Sequence, residues 1–181
     1  MDERRRRFEA QVLPHLDAAY RFARWLTRSP DDAEDVVQDA FLRAYRGFDA
    51  LRSSDVKAWL LTIVRNCHFT SLKRQQRRSL VPLPEDGDDP DGLALISESA
   101  DPEEAVIHSD SERTLERLVA ALPDGYREVL ILREIEDMDY RQIALVINAP
   151  IGTVMSRLSR ARAALKKHWF SQIDGESRAT S

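Results

Sequence analysis

Apolar residues recur along this chain with the period of an α-helix, and no segment shows the alternation of a strand. Phe8, Val12, Leu16, Ala19, Phe22, Ala23 and Leu26 share helical spacing and predict a first helix over 8–27. Ser29-Pro30-Asp31-Asp32 breaks the pattern and opens the next, because proline suits a first helical position and acids suit the positive end of a helix. Ala33, Val36, Val37, Ala40, Phe41, Ala44, Tyr45 and Phe48 then hold strict i, i+3, i+4, i+7 spacing, the clearest amphipathic helix in the chain. Residues 49–54 form a polar loop in which Ser53 or Ser54 can cap a third helix, Asp55 to Arg78. Its stripe is Val56, Trp59, Leu60, Ile63, Val64 and Cys67, and its end is basic.

From Val81 to Asp101 the periodicity lapses, and Pro82, Pro84, Pro90 and Pro102 sit among Gly, Asp and Glu. That composition predicts a flexible linker. The pattern resumes near Glu103. Leu115, Leu118, Val119 and Leu122 form one stripe, Pro123 punctuates, and Tyr126, Val129, Leu130, Leu132 and Arg133 belong to a further helix. Two short helices follow, Asp139 to Ile147 and Ile151 to His168, separated by Asn148-Ala149-Pro150. The expected fold is all-α, two small helical domains joined by a flexible acidic linker. An N-terminal helical bundle covers 1–80, the linker 81–102 and a C-terminal helix-turn-helix domain 103–170, before a loose polar tail over 171–181.

The two short helices and their three-residue turn suggest the helix-turn-helix. Tyr140, Ile143, Ala144 and Ile147 point inward from the first; Ile151, Val154, Met155, Leu158, Ala161 and Leu165 do so from the second. Asn148 can take the left-handed backbone that the turn needs, where glycine is usual. On the opposite face Thr153, Ser156, Arg157, Arg160, Ala164 and Lys167 place hydroxyls first and cations after. A recognition helix has that layout, since short donors and Arg reach base edges while later cations meet phosphate. An ordinary solvated face has it too.

Charge sharpens the division. The net −4 hides +5 over 1–80, −11 over 81–112 and +2 over 113–181. The acidic block reads as a solubilising tether that self-repels and extends. The lone cysteine, Cys67, lies on an apolar stripe and reads as a buried inert thiol rather than a redox sensor. Trp59, on the same stripe, reads as core rather than as a stacking platform. His15, His68, His108 and His168 are scattered without metal-ligand spacing, and six glycines form no phosphate loop. No metal, cofactor, catalysis or membrane insertion is expected. Leu42 lies off the apolar stripe of its helix among Asp35, Gln38 and Asp39; an isolated exposed leucine is unremarkable, though such a residue ringed by acids can be a partner site.

The segments Leu122-Pro123-Asp124-Gly125-Tyr126-Arg127-Glu128-Val129-Leu130, Tyr140-Arg141-Gln142-Ile143-Ala144 and Pro150 to Arg162 resemble the fourth conserved region of extracytoplasmic-function sigma factors. Asp31 to Tyr45 and Ala58 to Asn66, with the basic run Lys73 to Arg78, resemble the second. The resemblance implies a cytoplasmic subunit that directs core RNA polymerase to promoters and helps to melt the −10 element. It implies −35 DNA contacts from Arg133, Thr153, Ser156, Arg157, Ser159 and Arg160. It implies −10 contacts from Asn66, Thr70, Lys73, Arg74, Arg77 and Arg78, although many relatives have Asp where this chain has Thr70. It makes Asp35, Gln38, Asp39 and Leu42 the contacts to the clamp coiled coil of the polymerase largest subunit, and it implies an anti-sigma factor as a further partner. Asn148-Ala149 departs from the Gly-Val usual in this turn. The rivals are a stand-alone helix-turn-helix regulator that works without polymerase and a sigma mimic that sequesters an inhibitor protein; the Thr153–Arg160 face argues against the mimic.

Overall fold

Pro14 divides what apolar spacing predicts as one first helix. The computed structural model describes residues 3–52, 54–79 and 110–179. In it α1 spans Glu3–Val12, a 3-10 turn covers Leu13–His15 and α2 spans Leu16–Thr27. A proline inside a helix lacks the N–H for the i→i−4 bond and crowds the carbonyl one turn back. Arg28 closes α2 in the left-handed region, with φ 58°. The Ser29 side chain then accepts the Asp32 N–H, and Pro30 opens α3, Pro30–Gly47. Ala33, Val36, Val37, Ala40 and Ala44 bury the predicted stripe of α3, and Phe8 of α1 packs edge-on against Phe41, Tyr45 and Phe48 beyond them.

The helix α4, Val56–Ser79, is capped by Asp55, whose Oδ1 accepts the Ala58 N–H at 2.9 Å, and not by Ser54; Ser53 lies outside the described residues. The carboxylate adjoins the first helical residue and reaches the N–H that a cap must satisfy. Its first half is buried on more than one face: Leu60, Leu61 and Val64 are fully enclosed and Ala58, Cys67 and His68 nearly so. Leu61 falls outside the predicted stripe. A helix apolar on several sides is one with neighbours on several sides, and α4 packs on α2 and α3 and also on α7. Trp59 is half-buried against this core. Burial pushes the Cys67 thiol up to about 11, which agrees with an inert core residue.

The C-terminal half holds α5 (Asp110–Ala120), α6 (Asp124–Glu134), α7 (Tyr140–Ile147) and α8 (Ile151–Ala179). The acidic linker expected over 81–102 lies outside the described residues. Buried Arg127 knots the α5–α6 corner: its guanidinium donates to the carbonyls of Ala120 (3.1 Å) and Leu122 (2.9 Å) and to Asp124. Asp139 and Gln142 form a reciprocal capping box on α7. Asn148 takes the left-handed turn (φ 51°), as its position predicts.

Four residues expected inside are outside: Leu16 of the first predicted stripe, Leu115, Ile151 and Met155. Val154, Leu158 and Ala161 are buried along α8, but Ile151 is 41% and Met155 54% exposed. They lie on the flank of that line, away from the buried face. The helix also continues through Ala179, where a loose tail was expected from 171. Leu115, expected in the stripe of α5, is exposed as well.

The two halves are docked. A single cluster of buried side chains runs through both, with α4 against α7 and α2 against α6. Two buried carboxylates of the C-terminal half take cations from the N-terminal half. Glu136 pairs with Arg21 (2.9 Å) and Lys57 (3.0 Å), and Glu128 with Arg65 (2.7 Å). Asp55 also accepts from the Gln142 side chain.

Candidate nucleic-acid and polymerase interface

Three outward-facing groups of side chains occupy separate helices. On α3, Asp35, Gln38 and Leu42 are exposed and Asp39 is half-buried, all on the face away from the core. Leu42 is 52% exposed, too much for a packing residue. Asp39 already holds Arg43 one turn on, at 2.8 Å. This face offers an apolar centre within acids and suits a basic partner surface.

On α4 the helix leaves the core after His68 and turns cationic. Asn66, Lys73, Arg74 and Arg77 are exposed; Thr70 is half-buried, and the Arg78 side chain lies outside the described residues. The Thr70 hydroxyl donates to the Asn66 carbonyl at 2.8 Å, so toward a base it can offer only its acceptor lone pairs. The Asn66 amide offers both donors and an acceptor. Phe69 lies beneath the Arg65 guanidinium, 4.6 Å from ring centre to carbon, and stands 5.2 Å from the His68 ring. Its half-buried place on α4 suits packing better than stacking on a strand.

On α8, Ser156, Ser159 and Arg160 are exposed and Thr153 is half-buried. The Ser156 hydroxyl donates to the Thr153 carbonyl at 3.0 Å, which leaves its oxygen to accept. The other two predicted −35 residues are engaged within the fold. Arg133 donates to the Met138 carbonyl at 2.8 Å and lies over Tyr140, so it braces the α6–α7 loop. Arg157 folds back over Gly125 and stands 3.6 Å from Glu128.

Glu128, Glu136, Arg21 and Arg65 join the halves and were not singled out from the sequence. One signal was available: Glu128 interrupts the apolar run Tyr126 to Leu132, and a charge in such a run needs a partner. Which partner it takes is not written locally.

Residues 12–78 match the family model of sigma-70 region 2, and residues 112–165 that of sigma-70 region 4. The ECF RNA polymerase sigma factor SigW of Bacillus subtilis is 30% identical over 158 residues, covering 84% of this chain and 83% of its own. The chain belongs to the ECF sigma factors. Another relative, the ECF RNA polymerase sigma factor SigE of Mycolicibacterium smegmatis, is 30% identical over 157 residues; the match covers 87% of this chain and 59% of that protein. Among solved structures, the sigma factor RpoE of Bartonella quintana, crystallised with the anti-sigma factor NepR, superposes with a TM-score of 0.73 at 29% identity, over 90% of this chain and 96% of that one. In this ECF sigma factor, then, α3 and α4 lie within region 2, and α7 and α8 supply the helix-turn-helix of region 4. Among the described residues no helix is long and apolar enough to cross a membrane, and no cluster of His, Cys, Asp and Glu could hold a metal ion.

Proposed function

We propose that this sigma factor acts in the cytoplasm, without catalysis of its own, by docking on the clamp coiled coil of core RNA polymerase and reading promoter DNA with both halves. Asp35, Gln38, Asp39 and Leu42 meet the polymerase. Asn66, Thr70, Lys73, Arg74, Arg77 and Arg78 meet the −10 strand, and Thr153, Ser156, Arg157, Ser159 and Arg160 the −35 duplex. Arg133 holds the loop beneath that site. The observation that carries this reading is the separation of three exposed surfaces, one acidic with an apolar centre and two rich in hydroxyls, amides and cations, on one chain. The likeness to a sigma factor bound by an anti-sigma factor supports an anti-sigma partner here. Core polymerase with the purified protein should yield discrete run-off transcripts from a genomic promoter library. Transcripts no more specific than those of core alone would refute the function, and duplex binding without core would favour the stand-alone regulator.

Four outcomes separate the surfaces. Leu42→Ala combined with Asp39→Ala should weaken core binding in a pull-down titration. Stability should change by less than about 0.5 kcal/mol for the exposed leucine, because little packing is lost; unchanged affinity, or a large fall in melting temperature, rejects the α3 assignment. Arg160→Ala should relax preference at one or two −35 positions by about 1–3 kcal/mol, the worth of a bidentate Arg contact to a base pair. Lys73→Ala and Arg74→Ala should instead weaken binding at every sequence and flatten the salt dependence by about one unit of slope per lost phosphate contact. Asn66→Ala should slow opening and be rescued on a pre-melted bubble. An Arg160 effect confined to the downstream element would show that the division of labour is wrong.

A further inference from the structure

Glu128 is shared between the two halves in a way that the surfaces above do not use. Its carboxylate is 2% exposed at residue level and accepts two bonds from Arg65 of α4, Nε at 2.7 Å and Nη2 at 3.1 Å. Nη1 of Arg157, on α8, stands 3.6 Å from the same Oε1, beyond hydrogen-bond length. The Arg157 guanidinium lies over Gly125, where a side chain would begin at 3.6 Å from it. Arg127, next in sequence, is committed to the carbonyls of Ala120 and Leu122 and to Asp124.

We propose that Glu128 is the positioning residue of Arg157, and that docking of the two halves withdraws it by giving its carboxylate to Arg65. The reading rests on the proposed −35 role of α8. Arg65 leaves with α4 when the halves separate, whereas α6 and α8 remain packed together. Without Arg65, the nearest cation to the carboxylate on its own half is Arg157. Closing the 3.6 Å gap converts a loose ion pair into a charge-assisted hydrogen bond. The carboxylate then engages at most two of the five guanidinium N–H groups, and the rest are held in a fixed fork toward the groove. Released Arg65 keeps its place over Phe69 of its own helix.

The test uses the full chain in a Glu136→Gln background, which releases the second joint between the halves (Arg21 and Lys57) so that the Glu128–Arg65 pair is read alone. Small-angle scattering reports the radius of gyration of the free protein, and run-off transcription by the holoenzyme on templates randomised in the upstream element reports base preference. Arg65→Gln should raise the radius by several ångström (on the order of 5 Å, as two linked units separate) and leave upstream preference at the wild-type ratio. Glu128→Gln should raise the radius likewise and flatten preference about fivefold or more at the positions that Arg157→Gln flattens. Adding Glu128→Gln to Arg157→Gln should flatten it no further, as expected of two groups acting through one contact. The charge swap Arg65→Glu with Glu128→Arg should restore the radius and not the preference, since Arg157 then faces a cation. An unchanged radius in Arg65→Gln overturns the docking role. Wild-type preference in Glu128→Gln, or preference restored by the swap, overturns the positioning role. Scattering needs neither polymerase nor promoter, so failure of the docking role is distinguishable from failure of the sigma-factor reading.

Discussion

Arg127→Met should lower the melting temperature of the protein by roughly 10 °C, the equivalent of about 3 kcal/mol in a chain of this size. The methionine keeps most of the apolar stem, so the change isolates the guanidinium. Arg127 is 2% exposed and donates to two carbonyls at the end of α5 and to Asp124 at the start of α6. Burial pushes its pKa below the usual guanidinium value, with Asp124 opposing. Replacing every member of such a knot by apolar groups can be neutral. Removing only the donor is not, because the acceptors remain and each unsatisfied buried carbonyl costs about 1–3 kcal/mol. Arg28 reaches the Ala120 carbonyl at 3.4 Å from the outer side and can recover part of that bond, but none of it at Leu122. Thermal denaturation followed by circular dichroism measures the shift. A fall of less than about 2 °C would mean that the knot is dispensable.

Mild acid should weaken the fold through His68. The ring is 5% exposed, and burial lowers its pKa from 6.5 to about 4; Arg127 and Arg65 add to the shift, while Asp124 and Asp32 oppose it. Between those two values the unfolded chain binds a proton that the folded chain refuses, so stability rises with pH across this window. The contribution is complete above the unfolded value and is lost progressively as pH falls toward 4. From pH ~7.5 to pH ~5 the loss amounts to about 2 kcal/mol, at 1.36 kcal/mol per pKa unit. Urea denaturation at both pH values should show that difference in the wild type and a smaller one in His68→Gln. Equal pH dependence in the two proteins would show that the imidazole is not the group responsible.

Both residues illustrate where local reading stops. Arg127 and His68 stand in the sequence as ordinary charged or titratable positions near helix stripes. Arg127 sits beside Glu128 in the apolar run Tyr126 to Leu132 and His68 one turn after Val64, so each carries a local hint of burial, but neither the corner that takes Arg127 nor the neighbours that enclose His68 follow from that spacing. Pro14 is different. Its break was legible from chemistry alone, and the apolar spacing across residues 8–27 obscured it because a 3-10 turn restores the stripe after the proline.

The sequence by itself determined the helices that carry the proposed surfaces. The α3 stripe left Leu42 outward, Pro150 and Asn148 specified the turn before α8, and the cations after Leu72 marked the exposed end of α4. Each rests on helical period, capping or backbone preference, all set by residues within a few positions of one another. Tertiary structure alone decided which face meets which. It buried Leu61, bared Ile151 and Met155, drew Arg133 and Arg157 back into the fold, and paired Glu136 with Arg21 and Glu128 with Arg65 across 115 and 63 positions of chain. Periodicity names one apolar stripe per helix but not the number of its neighbours, and a charge inside that stripe reveals a need for a counter-ion without saying where the chain will supply it.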